Sequence, residues 1–323
     1  MQKKKWLAVG SGIALGAWGA YTGFQYLREH QELLGKLIDG SQVIEIPNGR
    51  IEYAEQGEGP AILISHGTLG GYDQGLAIVG LFQDKSYRFI SPSRAGYLRS
   101  AADTGWTPEA QADSFAQLLD ALNISKAALI GISGGGPAAI QFALRHPGRC
   151  QGLVLLSAIT RRPGPMPPVR NALAQAKDFS MHFDFPWWLL WRSGLKVLMV
   201  MNGADPRLAA EAVQDPEKLD ALQKIYRPIA SASLRLAGSR IDGSQIRHLP
   251  HFSLGDISVP ALVVHSPTDA LVSYPQAALT AREIPGAELL MLKNGGHICF
   301  VMRKEQFVPR VSEFLDTQFS RSP

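Results

Sequence analysis

Residues 127–135 read Ala127-Ala128-Leu129-Ile130-Gly131-Ile132-Ser133-Gly134-Gly135, and a helical stretch follows to about His146. An apolar run of strand length thus ends on a Gly-x-Ser-x-Gly turn and enters a helix. The pattern has a physical reason. A strand that turns sharply into a helix holds its serine in a strained backbone conformation and lifts the hydroxyl above the sheet. Gly131 and Gly135 are required because strand and helix crowd together where their β-carbons would sit. The helix N-terminus beneath favours developing negative charge.

Outward from this turn, further apolar runs cover 61–64, 88–90, 153–156, 261–264 and 289–292. Runs without polar alternation predict strands buried on both faces, hence a parallel sheet covered by helices. Upstream, 43–46 and 51–55 alternate around Pro47-Asn48-Gly49-Arg50, which predicts a β-hairpin. The two hairpin strands and six buried runs make an eight-stranded, mostly parallel sheet. Thr107 and Pro108 mark the start of a helix reaching about Leu122. Between Ile159 and about Leu254 no strand is evident. That interval opens with Pro163, Pro165, Pro167 and Pro168 and continues with apolar helical material from Trp187 to Met201. It reads as a helical insertion, far longer than an ordinary connection.

A serine hydroxyl at neutral pH needs a base, and the base needs an orienting group. Asp269 lies just past the run 261–264, and His297 lies just past 289–292 in Asn294-Gly295-Gly296-His297. Each of the three residues therefore follows the carboxyl end of its own strand, where open α/β sheets place ligand sites.

With Ser65-His66-Gly67-Thr68, Ser93-Arg94-Ala95-Gly96-Tyr97, the Ser133 turn, Asp269 and Gly296-His297 in this order, the chain resembles the α/β-hydrolase fold family from about Val43 to Phe319. The resemblance implies an α/β class protein of the serine-nucleophile branch, with a helical cap inserted after the sixth strand. Its parts are a first core segment 41–158, a cap 159–254 and a second core segment 255–323. The resemblance also implies a catalytic triad: Ser133 as nucleophile, His297 as base and then acid, and Asp269 fixing the imidazole tautomer. The N–H groups of Thr68 and Gly134 would form the oxyanion hole. The implied activity is cleavage of a small carboxylic ester through an acyl-enzyme. Cleavage of a carbon–carbon bond, lactone or amide by the same machinery stands as an alternative, as does a ligand-binding member without turnover. Ser133 argues against epoxide and haloalkane chemistry, which uses an aspartate nucleophile. Two positions depart from the family pattern: Ser266 stands where glycine is common, and Gly134 where Met, Gln or Trp is common.

Other residues have plainer readings. His66 braces the oxyanion loop, Arg94 and Tyr97 organise a loop, Asp73 caps the following helix or, with Gln74, lines the pocket mouth, and Asp256 lies on the surface. His265 has no motif context. Trp187, Trp188, Trp191, Met199 and Met201 form the core of the insertion, or else an apolar wall for an acyl chain or a surface that dips into a bilayer.

Composition sets the remaining bounds. The chain has 323 residues, 46% of them apolar and 19% charged, enough to bury a sizeable core. All but one unit of its +4 net charge is Lys3, Lys4 and Lys5, so no nucleic-acid footprint is present. Two cysteines, Cys150 and Cys299, exclude a disulfide framework, and no metal or cofactor is implied. Residues 6–27 carry no formal charge and follow three lysines, so 1–28 is expected to be a single-pass anchor. That expectation places the catalytic part outside the cytoplasm. The alternatives are a leader cut after Ala17-Trp18-Gly19, giving a secreted or periplasmic protein, and a buried or interfacial helix. Oligomeric state is left open.

Overall fold

The computed structural model describes residues 2–82, 86–164 and 168–320. Two compact units are present, residues 1–40 and 41–323.

In the first unit, helix α1 runs without a break from Gln2 to Asp39. The expectation of a membrane anchor is corrected here: among the described residues, no helix is long and apolar enough to cross a membrane. The reason lies in what replaces charge between 6 and 27. Gly10, Gly12, Gly16, Gly19 and Gly23, with Ser11, Thr22 and Gln25, add little hydrocarbon, and an uncharged stretch is not thereby an apolar one. With the span goes the placement of a membrane-attached catalytic part outside the cytoplasm. The backbone is also helical across 17–19, the step expected for leader cleavage. Gly12-x-x-x-Gly16 and Gly19-x-x-x-Gly23 have the spacing that lets two helices approach closely, but the surroundings of Gly12 and Gly16 lie outside what is described. Gly19 and Gly23 face open space, where a β-carbon would meet nothing within 4 Å.

The second unit is built on one eight-stranded sheet. Its strands are β1 (Gln42–Ile46), β2 (Gly49–Gln56), β3 (Ala61–Ser65), β4 (Arg88–Pro92), β5 (Ala127–Ile132), β6 (Cys150–Leu156), β7 (Ala261–His265) and β8 (Glu288–Met291). They lie in the order β1-β2-β4-β3-β5-β6-β7-β8. The pairs β1–β2 and β2–β4 are antiparallel, and every later pair is parallel. The hairpin turn at Asn48-Gly49 uses Gly49 at φ +118°, a conformation that favours glycine.

Apolar runs without alternation form strands here because both faces are covered. Ile62, Ile64, Ile130, Val154, Leu156 and Val264 bury into one core, while Leu63, Leu129, Leu153, Leu155 and Val263 bury into the other. Helices α3 (Pro108–Ala121), α4 (Gly136–Arg145) and α11 (Tyr274–Glu283) supply the second core. Helices α2 (Tyr72–Val79), α12 (Cys299–Met302) and α13 (Lys304–Ser320) contribute to the first. The start of α3 follows its signal: the Thr107 hydroxyl accepts from the Ala110 N–H, and Pro108 occupies the first turn. Such a cap is worth about 1 kcal/mol.

Between β6 and β7 the described chain contains no strand of the sheet. It carries α5 (Pro168–Ser180), α6 (Asp184–Ser193), α7 (Leu195–Met201), α8 (Pro206–Ala212), α9 (Pro216–Tyr226) and α10 (Leu236–Arg247), with 3-10 turns over Arg227–Arg235. Pro165 and Pro167, expected at the opening of this interval, lie outside the described residues. Both cysteines are buried and free.

Candidate active site

Ser133 leaves the end of β5 at φ +47°, in the left-handed region that a non-glycine residue enters only under strain. Its neighbours show why glycine is needed. A β-carbon on Gly131 would lie 2.6 Å from the Ala139 methyl, and one on Gly135 would lie 2.2 Å from the Ser65 carbonyl oxygen. Without those side chains, α4 packs directly against the ends of β3 and β5.

The structure brings Ser133, His297 and Asp269 together. His297 Nε2 is 3.0 Å from Ser133 Oγ, and His297 Nδ1 is 2.8 Å from Asp269 Oδ2. The carboxylate can only accept, so Nδ1 carries the proton and Nε2 turns its lone pair toward the hydroxyl. Asp269 is held in turn. Its Oδ1 accepts from the Leu271 and Val272 N–H groups at 2.8 and 2.9 Å, and its side chain is fully buried. His265 Nε2 lies 3.4 Å from Asp269 Oδ2 and donates to the Val272 carbonyl at 2.9 Å. His265, unremarked in the sequence beyond its position, therefore packs directly against the orienting acid. Burial lowers its pKa.

The loop bearing His297 is anchored from the helical interval. His297 N–H donates to the Asn202 carbonyl at 2.8 Å, and Asp205 N–H donates to the Asn294 carbonyl at 3.2 Å. Gly296 sits at φ +59°, where a β-carbon would lie 2.3 Å from the Ala204 nitrogen.

Thr68 and Gly134 adjoin on the other side of Ser133. A β-carbon on Gly134 would lie 2.3 Å from Thr68 Oγ1 and 3.3 Å from Thr68 N. The absence of a side chain at 134 is what lets the two loops touch.

The loop 66–69 is held by a buried network. His66 Nδ1–H donates to the Gly67 carbonyl, while its Nε2 accepts from the Arg94 N–H. Both ring nitrogens are thereby committed to the neutral form, and burial holds its pKa well below the ordinary imidazole value, reinforced by the Arg94 charge. Arg94 Nε donates to the His66 carbonyl, and its two terminal nitrogens grip Asp242 at 2.5 and 2.7 Å. Asp242 Oδ2 also accepts from the Tyr97 hydroxyl at 2.7 Å and the Thr68 hydroxyl at 2.9 Å. Burial, with the Asp242 charge, pushes the Tyr97 phenol well above its usual pKa and keeps it a donor.

A second buried pair lies beside it. Arg235 meets Asp73 at 2.9 Å and donates to the Gly70 carbonyl at 2.5 Å. This corrects the reading of Asp73 as a helix cap: Gly71 precedes α2 with no side-chain cap, and Asp73 is spent on the arginine. Arg94 and Tyr97 do organise a loop, but the organiser they share, Asp242, carried no signal in the sequence. Asp256 is exposed.

Ser133 and His297 open onto a cavity of about 390 Å³ walled by Ile78, Trp187, Leu198, Ile225, Ile229 and Phe300. The aromatic and sulfur residues of the insertion have different surroundings. Trp187 lines this cavity, Trp188 and Met199 are buried core, and Met201 is exposed. Among the described residues no cluster of His, Cys, Asp or Glu could hold a metal ion.

A sequence model described as "alpha/beta hydrolase fold" matches residues 60–190. The chain is 28% identical to "Uncharacterized hydrolase YcgS" of Bacillus subtilis, over 80% of this chain and 92% of that protein. It is 26% identical to a "2-hydroxymuconate semialdehyde hydrolase" of Pseudomonas putida, over 82% of this chain and 90% of the relative. Among solved structures, an "Alpha/beta hydrolase fold protein" from Nakamurella multipartita superposes with a TM-score of 0.72 at 27% identity, covering 85% of this chain and 98% of the other.

Proposed function

This chain is a hydrolase that belongs to the α/β-hydrolase fold family, and we propose that it cleaves carboxylic esters through an acyl-enzyme on Ser133. The observation that carries the reading is the hydrogen-bonded relay Ser133–His297–Asp269, with the imidazole lone pair facing the hydroxyl.

The steps follow from the geometry. Ser133 Oγ attacks the carbonyl carbon as its proton passes to His297 Nε2. The carbonyl oxygen takes the negative charge and accepts from the N–H groups of Thr68 and Gly134. The buried Asp269 stabilises the imidazolium formed at that moment. Collapse of the intermediate breaks the carbon–oxygen bond to the leaving alcohol, which takes the proton from His297. Water then adds to the acyl-enzyme, giving its proton to His297. The second collapse releases the acid and returns the proton to Ser133 Oγ. In this reading, residues 159–254 act as a cap whose inner wall selects the acyl group.

Ser133→Ala is the direct test. Turnover of 4-nitrophenyl esters should fall by roughly three orders of magnitude or more, and an unchanged rate would remove the proposal. A second reading keeps the same triad on another carbonyl, favoured by the relative named for 2-hydroxymuconate semialdehyde. Comparing simple esters with a vinylogous 1,5-diketone would separate the two.

A further inference from the structure

The cavity above Ser133 has one charged group that neither the fold nor the proposed chemistry uses. Lys177, on α5, is part of its lining. The rest of the wall is mostly apolar, and no acidic side chain lines it among the described residues. Several polar side chains that share the wall are occupied: Gln74 Oε1 accepts from Gly67 N–H, the Thr68 hydroxyl donates to Asp242, and Asn202 Nδ2 donates to the Tyr226 hydroxyl, while the neutral Trp187 Nε1–H has no partner among the described residues.

Lys177 itself makes a single hydrogen bond among the described residues, to Ser239 Oγ at 3.1 Å, and no carboxylate lies within ion-pair distance of its ammonium. The acid whose charge acts on it most strongly is Asp242, whose two oxygens already receive Arg94, Tyr97 and Thr68. An ammonium has three donors, and Ser239 takes one of them. Burial disfavours its charged form, and Asp242 and Asp178 offset that only in part. Taking a cation out of water without a partner is costly, and an anion in the cavity would supply the missing partner.

We propose that Lys177 selects substrates bearing a carboxylate, paired to its ammonium while the apolar stem of the substrate lies along the wall from Ile78 to Phe300. This rests on the ester-hydrolase reading of the site and adds the substrate class to it. The preferred substrate is then a monoester of a short dicarboxylic acid rather than a neutral fatty ester.

The test compares mono-4-nitrophenyl esters of succinate, glutarate and adipate with 4-nitrophenyl butanoate, pentanoate and hexanoate, read as the ratio of kcat/KM within each matched pair. The full chain should prefer at least one carboxylate ester by about tenfold, the size of one charge-assisted hydrogen bond. Lys177→Met should bring that ratio to about one or below, and Lys177→Arg should keep part of it. A ratio that is unchanged in Lys177→Met, or at or below one in the unaltered chain for all three pairs, overturns the inference while leaving ester hydrolysis standing. Failure of every ester, together with no labelling of Ser133 by a fluorophosphonate, overturns both.

Discussion

Thr68 and Asp242 lie 174 residues apart in the chain and meet through a 2.9 Å hydrogen bond from the threonine hydroxyl to Oδ2. One end of this contact is the loop that touches Gly134 beside Ser133 and whose N–H is proposed to hold the oxyanion. The other end belongs to α10, between β6 and β7, and is gripped by the fully buried Arg94. The helical interval therefore does more than cover the cavity: it sets the position of the loop beside Ser133.

Removing Asp242 should be expensive. Asp242→Leu leaves the Arg94 charge buried without its partner, and the expected loss is about 3–5 kcal/mol. Urea unfolding measures it directly. Pairing the change with Arg94→Met should recover much of the loss, because no uncompensated charge then remains. A loss under about 1 kcal/mol for the single variant would contradict this view of the network.

Gly134→Ala should damage turnover far more than stability. The new methyl would lie 2.3 Å from Thr68 Oγ1, so the Thr68 loop must move away from Ser133. Misplacing one oxyanion donor costs about 10²–10³ in kcat. Adding Thr68→Ala removes the clashing oxygen and should restore part of the rate. Wild-type kcat in Gly134→Ala would show that the two loops do not cooperate.

Stability should fall on mild acidification. His66 and His265 both have lowered pKa values in the fold because burial opposes their charged forms. In the unfolded chain each titrates near 6.5. The unfolded state therefore binds protons first. Stability is whole above about pH 6.5 and is lost as pH falls below it toward the folded values, by up to about 1.4 kcal/mol per pH unit for each group. Urea unfolding at pH 7.5, 6.5 and 5.5 should show this slope, with His265→Asn reducing it. A flat profile over that range would contradict the burial argument.

The two cysteines should be silent in the native protein. Burial pushes both thiols up to about 12, so almost no thiolate is present at neutral pH. A disulfide-exchange reagent should count no reactive thiol in the folded chain and two in urea. Rapid native labelling of either would mean that the structure opens there.

The fold was legible because its signals are local. The run 127–132, the glycines at 131 and 135 and the Asn48-Gly49 hairpin each report a backbone requirement within a few residues. The candidates Ser133, Asp269 and His297 were legible for a related reason, since each lies within a few residues of the carboxyl end of a strand. The surrounding network was not. Asp242 and Arg94 are separated by 148 residues, Arg235 and Asp73 by 162, and neither pair leaves a periodic or motif trace. Lys177 leaves no mark in the sequence, because one lysine on a helix has the same pattern as any solvated face; only the fold sets it in the cavity wall. Residues 6–27 misled in the opposite direction. Their lack of charge stood in for hydrocarbon, which glycines do not provide.

The relay at Ser133 is tested most directly by a fluorophosphonate, which bonds to a serine only when a base activates it in a formed oxyanion site. Intact-mass analysis and peptide mapping of the folded chain should find one adduct, on Ser133, absent in Ser133→Ala and strongly slowed in His297→Ala. A folded protein that takes no adduct, or takes it elsewhere, would contradict the account.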